Sequence, residues 1–107
     1  MTVLWTQYAE SQLDNIYDYI KSYSQLSATN VYNDILDESA MLAHFPRMGA
    51  IEPLLSDFPE KYRYLQVRKN YKIVYCIDNE TTIYVVAVFD CRQSPEKLKK
   101  DVAKSGF

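Results

Sequence analysis

Between Ala9 and Ile20 apolar residues recur at three- and four-residue spacing, whereas from Tyr62 to Cys91 they come in short blocks broken by polar turns. The first rhythm is that of an amphipathic helix, the second that of strands. Thr2–Trp5 alternates in strand fashion, and Thr6 is placed to cap a helix after it. Ala9, Leu13, Ile16, Tyr17 and Ile20 then make one face of that helix, reaching to about Tyr23. Ser27 is expected to cap a second helix, with Ala28, Val31, Tyr32, Ile35, Leu36 and Leu42 on one side. In "HFPRMG" Pro46 cannot continue that helix and Gly49 permits a tight turn. The linker between the helices is short, so they should lie antiparallel.

"AIEPLLSDFPEK" reads as a Pro-punctuated connection, mostly loop. Three strands are expected near 62–68, 71–77 and 82–91, joined by polar turns at Arg68–Tyr71 and Asp78–Thr81. The last, "TTIYVVAVFDC", is almost wholly apolar and should be central, covered on both faces. "SPEKLKKDVAK" predicts a short basic helix with Ser94 as cap and Pro95 at its first position. The order β-α-α-β-β-β-α predicts an α+β fold, a small antiparallel sheet packed against an N-terminal helical hairpin, in one domain over residues 1–107. The register after Arg68 stays open. A two-residue turn would pair Arg63 with Cys76 and Val67 with Lys72; a three-residue turn would place Lys72 beside Tyr64.

Composition narrows the function classes. The 107 residues are 48% apolar and 24% charged, as in an ordinary globular chain. No apolar run approaches the ~20 residues of a membrane span, and the N-terminus lacks the pattern of a signal peptide. A cytoplasmic location is expected. The net charge of −2 hides a polarity: residues 1–46 hold six acids against one base, residues 47–107 eleven bases against eight acids. An isoelectric point near 5.3 argues against avid non-specific binding of nucleic acid, yet permits a local cationic patch. With Cys76 expected opposite Ile83, the two cysteines would sit roughly 26 Å apart at ~3.3 Å per residue. That is too far for a disulfide. Two buried free thiols are expected. One His, His44, and no CxxC leave no metal-ligand cluster, so neither metal nor cofactor is expected.

Several stretches together resemble the ParE/RelE-type toxins of bacterial toxin–antitoxin pairs: "VLWTQYAESQLDNIYDYI", "FPRMG", "YRYLQVRKNYKIVYCID" and "VAVFDCRQSPEKL". The resemblance spans nearly the whole chain in order and implies the same fold as the periodicity. It also divides by target. RelE-like members cut mRNA on the ribosome, whereas ParE-like members poison DNA gyrase. "FDCRQSPEKL" resembles the ParE-like ending; "GAIEPL" resembles a Gly-x-x-Glu-Pro-Leu stretch of a ribonuclease branch, which would make Glu52 a general base.

RNA cleavage needs a base, an acid for the leaving oxygen and cations to stabilise the charged phosphorus. By resemblance Lys72 and Arg92 match cations of the ribonuclease branch, so Glu52, Lys72 and Arg92 form the candidate catalytic set. Tyr62 and Tyr64 stand where that branch carries lysines, and no Tyr or His follows Arg92 as an acid. A gyrase-binding poison is therefore favoured slightly over a ribonuclease, with an inert interaction module as a third reading. Arg63, Lys72 and Arg92 are the candidate target- or phosphate-binding cations, against a structural role in which Arg63 pairs with Asp90 or Glu60. Glu52 weighs more heavily as a solvated loop carboxylate than as a catalyst. Tyr8, Tyr19 and Tyr23 beside the first helix's core stripe, with Tyr62 and Tyr64 on one strand face, suggest docking surfaces. The resemblance implies a cognate antitoxin whose acidic flexible segment would cover Tyr62, Tyr64 and Arg68, and a toxin–antitoxin hetero-oligomer.

Overall fold

The computed structural model describes residues 1–107. A strand, β1 (Thr2–Trp5), leads through Thr6 into α1 (Gln7–Lys21), and the Thr6 hydroxyl accepts the Ala9 amide at 3.1 Å as the N-cap. Helix α2 (Gln25–Met41) is capped by Ser24, not Ser27; the Ser24 hydroxyl accepts the Ser27 amide, which makes Ser27 the donor within the first turn. Apolar spacing begins only at Ala28 and is blind to the polar turn before it. The Pro-punctuated stretch is mostly loop, as its sequence suggests. It holds a two-residue strand, β2 (Ala50–Ile51), and a 3₁₀ turn, Pro53–Leu55. Strands β3 (Arg63–Val67), β4 (Tyr71–Ile77) and β5 (Thr82–Asp90) and helix α3 (Pro95–Lys104) complete the chain. Ser94 occupies the N-cap position of α3 without a side-chain capping bond.

The sheet order is β1-β5-β4-β3-β2, so β5 is internal, as its apolar sequence requires. The pairings are antiparallel except for β1 with β5, which is parallel. That departs from a purely antiparallel sheet. A parallel neighbour needs a long crossover, and the chain between Trp5 and Thr82 supplies one. The loop between β3 and β4 is three residues, with Val67 opposite Tyr71 and Tyr64 opposite Val74. It is built with Arg68 and Lys69 at φ of 52° and 69°, conformations that favour Gly or Asn.

One sheet face packs on the helical hairpin, through Leu13, Ile35, Leu42, Ile73, Ile83 and Val85 among others. The other packs under α3 and the 3₁₀ turn, through Leu55, Val74, Val86, Phe89, Leu98 and Val102. A bulge at Val74/Tyr75 leaves Val86 unpaired and shifts the alternation, so Val85 and Val88 face one core while Val86 and Phe89 face the other. Each such side chain contributes about 1.5–3 kcal/mol by burial. Both faces of β5 are therefore covered, and its near-continuous apolar run has two cores to fill. No helix is long and apolar enough to cross a membrane.

Candidate functional site

Register decides which candidate residues meet. Cross-strand partners share a face, so Arg63, opposite Tyr75, lies on the hairpin side, and Lys72, opposite Gln66 and Phe89, lies on the α3 side. Arg63 pairs with neither Asp90 nor Glu60. Its guanidinium donates to the carbonyls of Gly49 (2.8 Å) and Arg47 (3.5 Å). Beside it the buried Tyr75 hydroxyl donates to the Pro46 carbonyl at 2.8 Å and accepts the Gly49 amide at 3.0 Å. Burial raises the Tyr75 pKa. Gly49 is needed for close approach: a Cβ there would stand 2.6 Å from the Tyr64 carbonyl oxygen. Arg63 thus anchors the loop that closes α2.

On the α3 side Glu52 and Lys72 do come together. Glu52 is 1% exposed, so it is not a solvated loop carboxylate. Its Oε1 accepts the Leu54 amide at 3.1 Å, capping the 3₁₀ turn, and its Oε2 accepts Lys72 Nζ at 2.9 Å. Lys72 Nζ also lies 4.5 Å from the centre of the Tyr64 ring, a cation–π contact. Both carboxylate oxygens are engaged and the side chain has no exposed surface. A general base must reach the proton it removes; Glu52 faces protein on both sides.

Arg92 is elsewhere. It stands just beyond β5, where Asp90 holds it through Nε (2.9 Å) and Nη2 (2.8 Å) while its own backbone amide donates to the same carboxylate. Nη2 also reaches the Tyr71 hydroxyl at 3.4 Å, and the guanidinium carbon sits 5.9 Å from the Tyr71 ring centre. Tyr71 belongs to the hairpin-side core. The Arg92 hydrogen bonds hold Asp90 below the ordinary carboxylate range, and Asp90 in turn raises Arg92. Burial raises Tyr71, with Arg92 opposing. Arg92 therefore completes no phosphate site with Lys72 or Arg63, and the set Glu52, Lys72, Arg92 is split between two faces of the sheet.

Around Arg92 the surface is hollowed. A cleft of about 480 Å³ is lined by Asn15, Ile16, Tyr19, Tyr71, Asp90, Arg92 and Gln93. Tyr19 and Tyr23 are each 67% exposed and touch edge to face, ring centres 5.8 Å apart. Asn15, Tyr19 and Tyr23 recur every four residues, a stripe legible in the sequence; Gln93 and Tyr71 join it only through the fold. A second network has no signature in the sequence. The buried Asp101 accepts Tyr8 (2.9 Å), Gln12 (3.2 Å) and Lys97 (3.0 Å), fastening α3 to α1. Burial and the Asp101 carboxylate both raise the Tyr8 pKa.

The remaining docking candidates diverge. Tyr62 is 3% exposed, stacked edge to face with Phe58, and offers no surface to a partner; burial raises its pKa strongly. Tyr64 is half-buried beneath Lys72, and Arg68 bridges to Asp34 of α2 from the hairpin tip. Cys76 is buried but Cys91 is exposed, correcting the expectation of two buried thiols. Cys91 follows the last residue of β5, past the two cores. No three His, Cys, Asp or Glu side chains are grouped to hold a metal.

The family model described as ParE toxin of type II toxin–antitoxin system, parDE, matches residues 3–95. Among solved structures, a chain from the chromosomal ParDE TA system of P. aeruginosa superposes with a TM-score of 0.68 at 24% identity, over 84% of this chain and 95% of that one. At that identity the likeness shows the fold. No curated protein matches.

Proposed function

Because the chain belongs to the ParE toxin family of type II toxin–antitoxin systems, we propose that it arrests growth in the cytoplasm by binding a target protein, DNA gyrase, without cutting RNA, and that a cognate antitoxin neutralises it. The observation carrying the non-catalytic reading is the state of Glu52. Its carboxylate is buried with both oxygens engaged, and Arg92 lies on the other side of the sheet. Base and phosphate cation do not converge, so an attacking 2′-hydroxyl could not meet both. The exposed cations suit an acidic antitoxin segment: Arg68 and Lys69 at the hairpin tip, and, on the α3 side of the sheet with Tyr64, Lys99, Lys100 and Lys104 of α3.

Induction without antitoxin, with measurements of growth, DNA breaks and mRNA integrity, tests this. Growth arrest with DNA breaks and intact mRNA is expected, relieved by co-expressed antitoxin. Codon-specific mRNA cleavage would replace the reading with a ribonuclease, and normal growth at high folded expression would leave an inert module.

A further inference from the structure

We infer that the cleft beside Arg92 is the target-facing surface, and that it takes an uncharged aromatic side chain of the target protein. This rests on the binding-poison reading and says what the surface recognises.

Three observations carry it. First, the cleft is large enough for an aromatic side chain, at about 480 Å³, and its outer wall includes a tyrosine left 67% exposed, with a second equally exposed tyrosine touching it. Large exposed aromatics are costly to leave in water and are enriched where partners dock. Second, the cleft is neutral in effect. Asp90 already holds Arg92 on two guanidinium nitrogens, so an incoming anion would meet the Asp90 carboxylate and an incoming cation the guanidinium. A planar neutral group suits both, since it can lie against the guanidinium or a tyrosine face while Asn15 and Gln93 supply amide donors and acceptors. A nucleotide fits less well, because its phosphates would find one committed arginine beside a helix bearing Glu10, Asp14 and Asp18.

Third, the cleft continues as a groove along the end of β5. β1 ends opposite Val85, so the outer edge of β5 beyond it has no strand beside it. The Val88 amide on that edge is satisfied by the Gln12 side chain, at 2.9 Å. A second hollow of about 200 Å³ runs on from the cleft, sharing Asn15, Ile16, Asp90 and Gln93 with it and continuing to Gln12 and Lys97. With the Val88 amide taken by Gln12 and Val86 to Phe89 buried, this groove offers side-chain amides and not an open backbone edge, so it suits an inserted side chain and not an added strand.

Two measurements test the inference. In amide-resolved NMR of the folded chain, N-acetyl-tryptophanamide at millimolar concentration should shift Asn15, Tyr19, Tyr71 and Gln93, whereas N-acetyl-argininamide and adenosine monophosphate should shift them far less. Larger shifts from the nucleotide, or none from the indole amide, would overturn the ligand class. In cells, Tyr19→Ala should weaken growth arrest roughly 30-fold in the inducer needed, the scale of a hot-spot residue. Antitoxin capture and melting temperature should stay unchanged, and the exposed control Met48→Ser should remain fully toxic. Full toxicity of Tyr19→Ala, or parallel loss of antitoxin capture, would refute the assignment to the target. A wild-type chain without toxicity would instead refute the proposed function, and the NMR result would still decide what the cleft binds.

Discussion

The two faces of the sheet each carry a cation against a carboxylate, and the pairs have opposite characters. On the α3 side Lys72 meets a Glu52 with no exposed surface; on the other, Arg92 meets Asp90 with its own side chain 55% exposed. The buried pair cannot be broken without stranding a charge, and it caps a turn that shapes the loop over the second core. The exposed pair adds little stability and leaves an arginine beside open aromatic surface. Similar residue types thus do different work because burial, not chemistry, separates them. A buried ion pair is part of the fold, whereas an exposed one is available to a partner.

Removing the buried cation puts this contrast to its hardest test. Lys72→Met should cost about 3–5 kcal/mol at neutral pH, because Glu52 is left charged and unpaired. Combined with Glu52→Gln, most of that loss should return, a coupling read from urea midpoints. Losses below about 1 kcal/mol for Lys72→Met would mean that the pair is effectively solvated.

The two thiols repeat the contrast between buried and exposed. Burial pushes Cys76 up to about 12, whereas an unfolded thiol titrates at about 8.5. Its contribution to stability is fully present below about pH 8.5 and is lost as pH rises toward 12, by at most about 1.4 kcal/mol per pH unit. Cys76→Val should flatten the decline in melting temperature between roughly pH 8.5 and 10. Above that range the buried tyrosines sustain it, since their pKa values are raised too. A thiol reagent should modify Cys91 in the folded chain and Cys76 only on unfolding. An unchanged alkaline profile in the variant would mean that Cys76 does not govern the decline.

Smaller effects are expected at the hairpin tip. Lys69→Gly relieves a left-handed backbone at φ 69° and should stabilise by about 0.5–1 kcal/mol, less the entropy of a freer unfolded chain. Smallest is the exposed pair: Arg92→Ala should cost only about 0.2–1 kcal/mol by thermal melting.

Much of this fold was legible because the signals were local. Thr6 sat before a helical stripe, Pro46 lay a few residues past the end of α2 at Met41, and the unbroken apolar run of β5 required cover on both faces. Strand β2 was hidden because its two residues lie between a glycine and Glu-Pro, too short for any period to show. The parallel placement of β1 depends on contacts far along the chain. At the site, Arg92 could be singled out from its place at a strand end, and its partner Asp90 stands two residues before it, but its side of the sheet depended on the β4–β5 register, which sets Tyr71 opposite Asp90. The third residue of the turn between β3 and β4 put Lys72 beside Tyr64 and turned Arg63 away. Glu52 read as a loop carboxylate because nothing local announces that Lys72, twenty residues on, will bury it.

If the buried pair is structural and the exposed arginine functional, two variants should part company. Growth arrest by Glu52→Gln and by Arg92→Lys is compared with wild type at a matched level of folded protein. Glu52→Gln should arrest growth as wild type does, with mRNA intact. Arg92→Lys should lose most toxicity at nearly unchanged melting temperature, since lysine cannot reproduce the planar two-pronged hold on Asp90 that shapes the cleft. A folded Glu52→Gln chain that no longer arrests growth, or an Arg92→Lys chain that remains fully toxic, would contradict this division of roles.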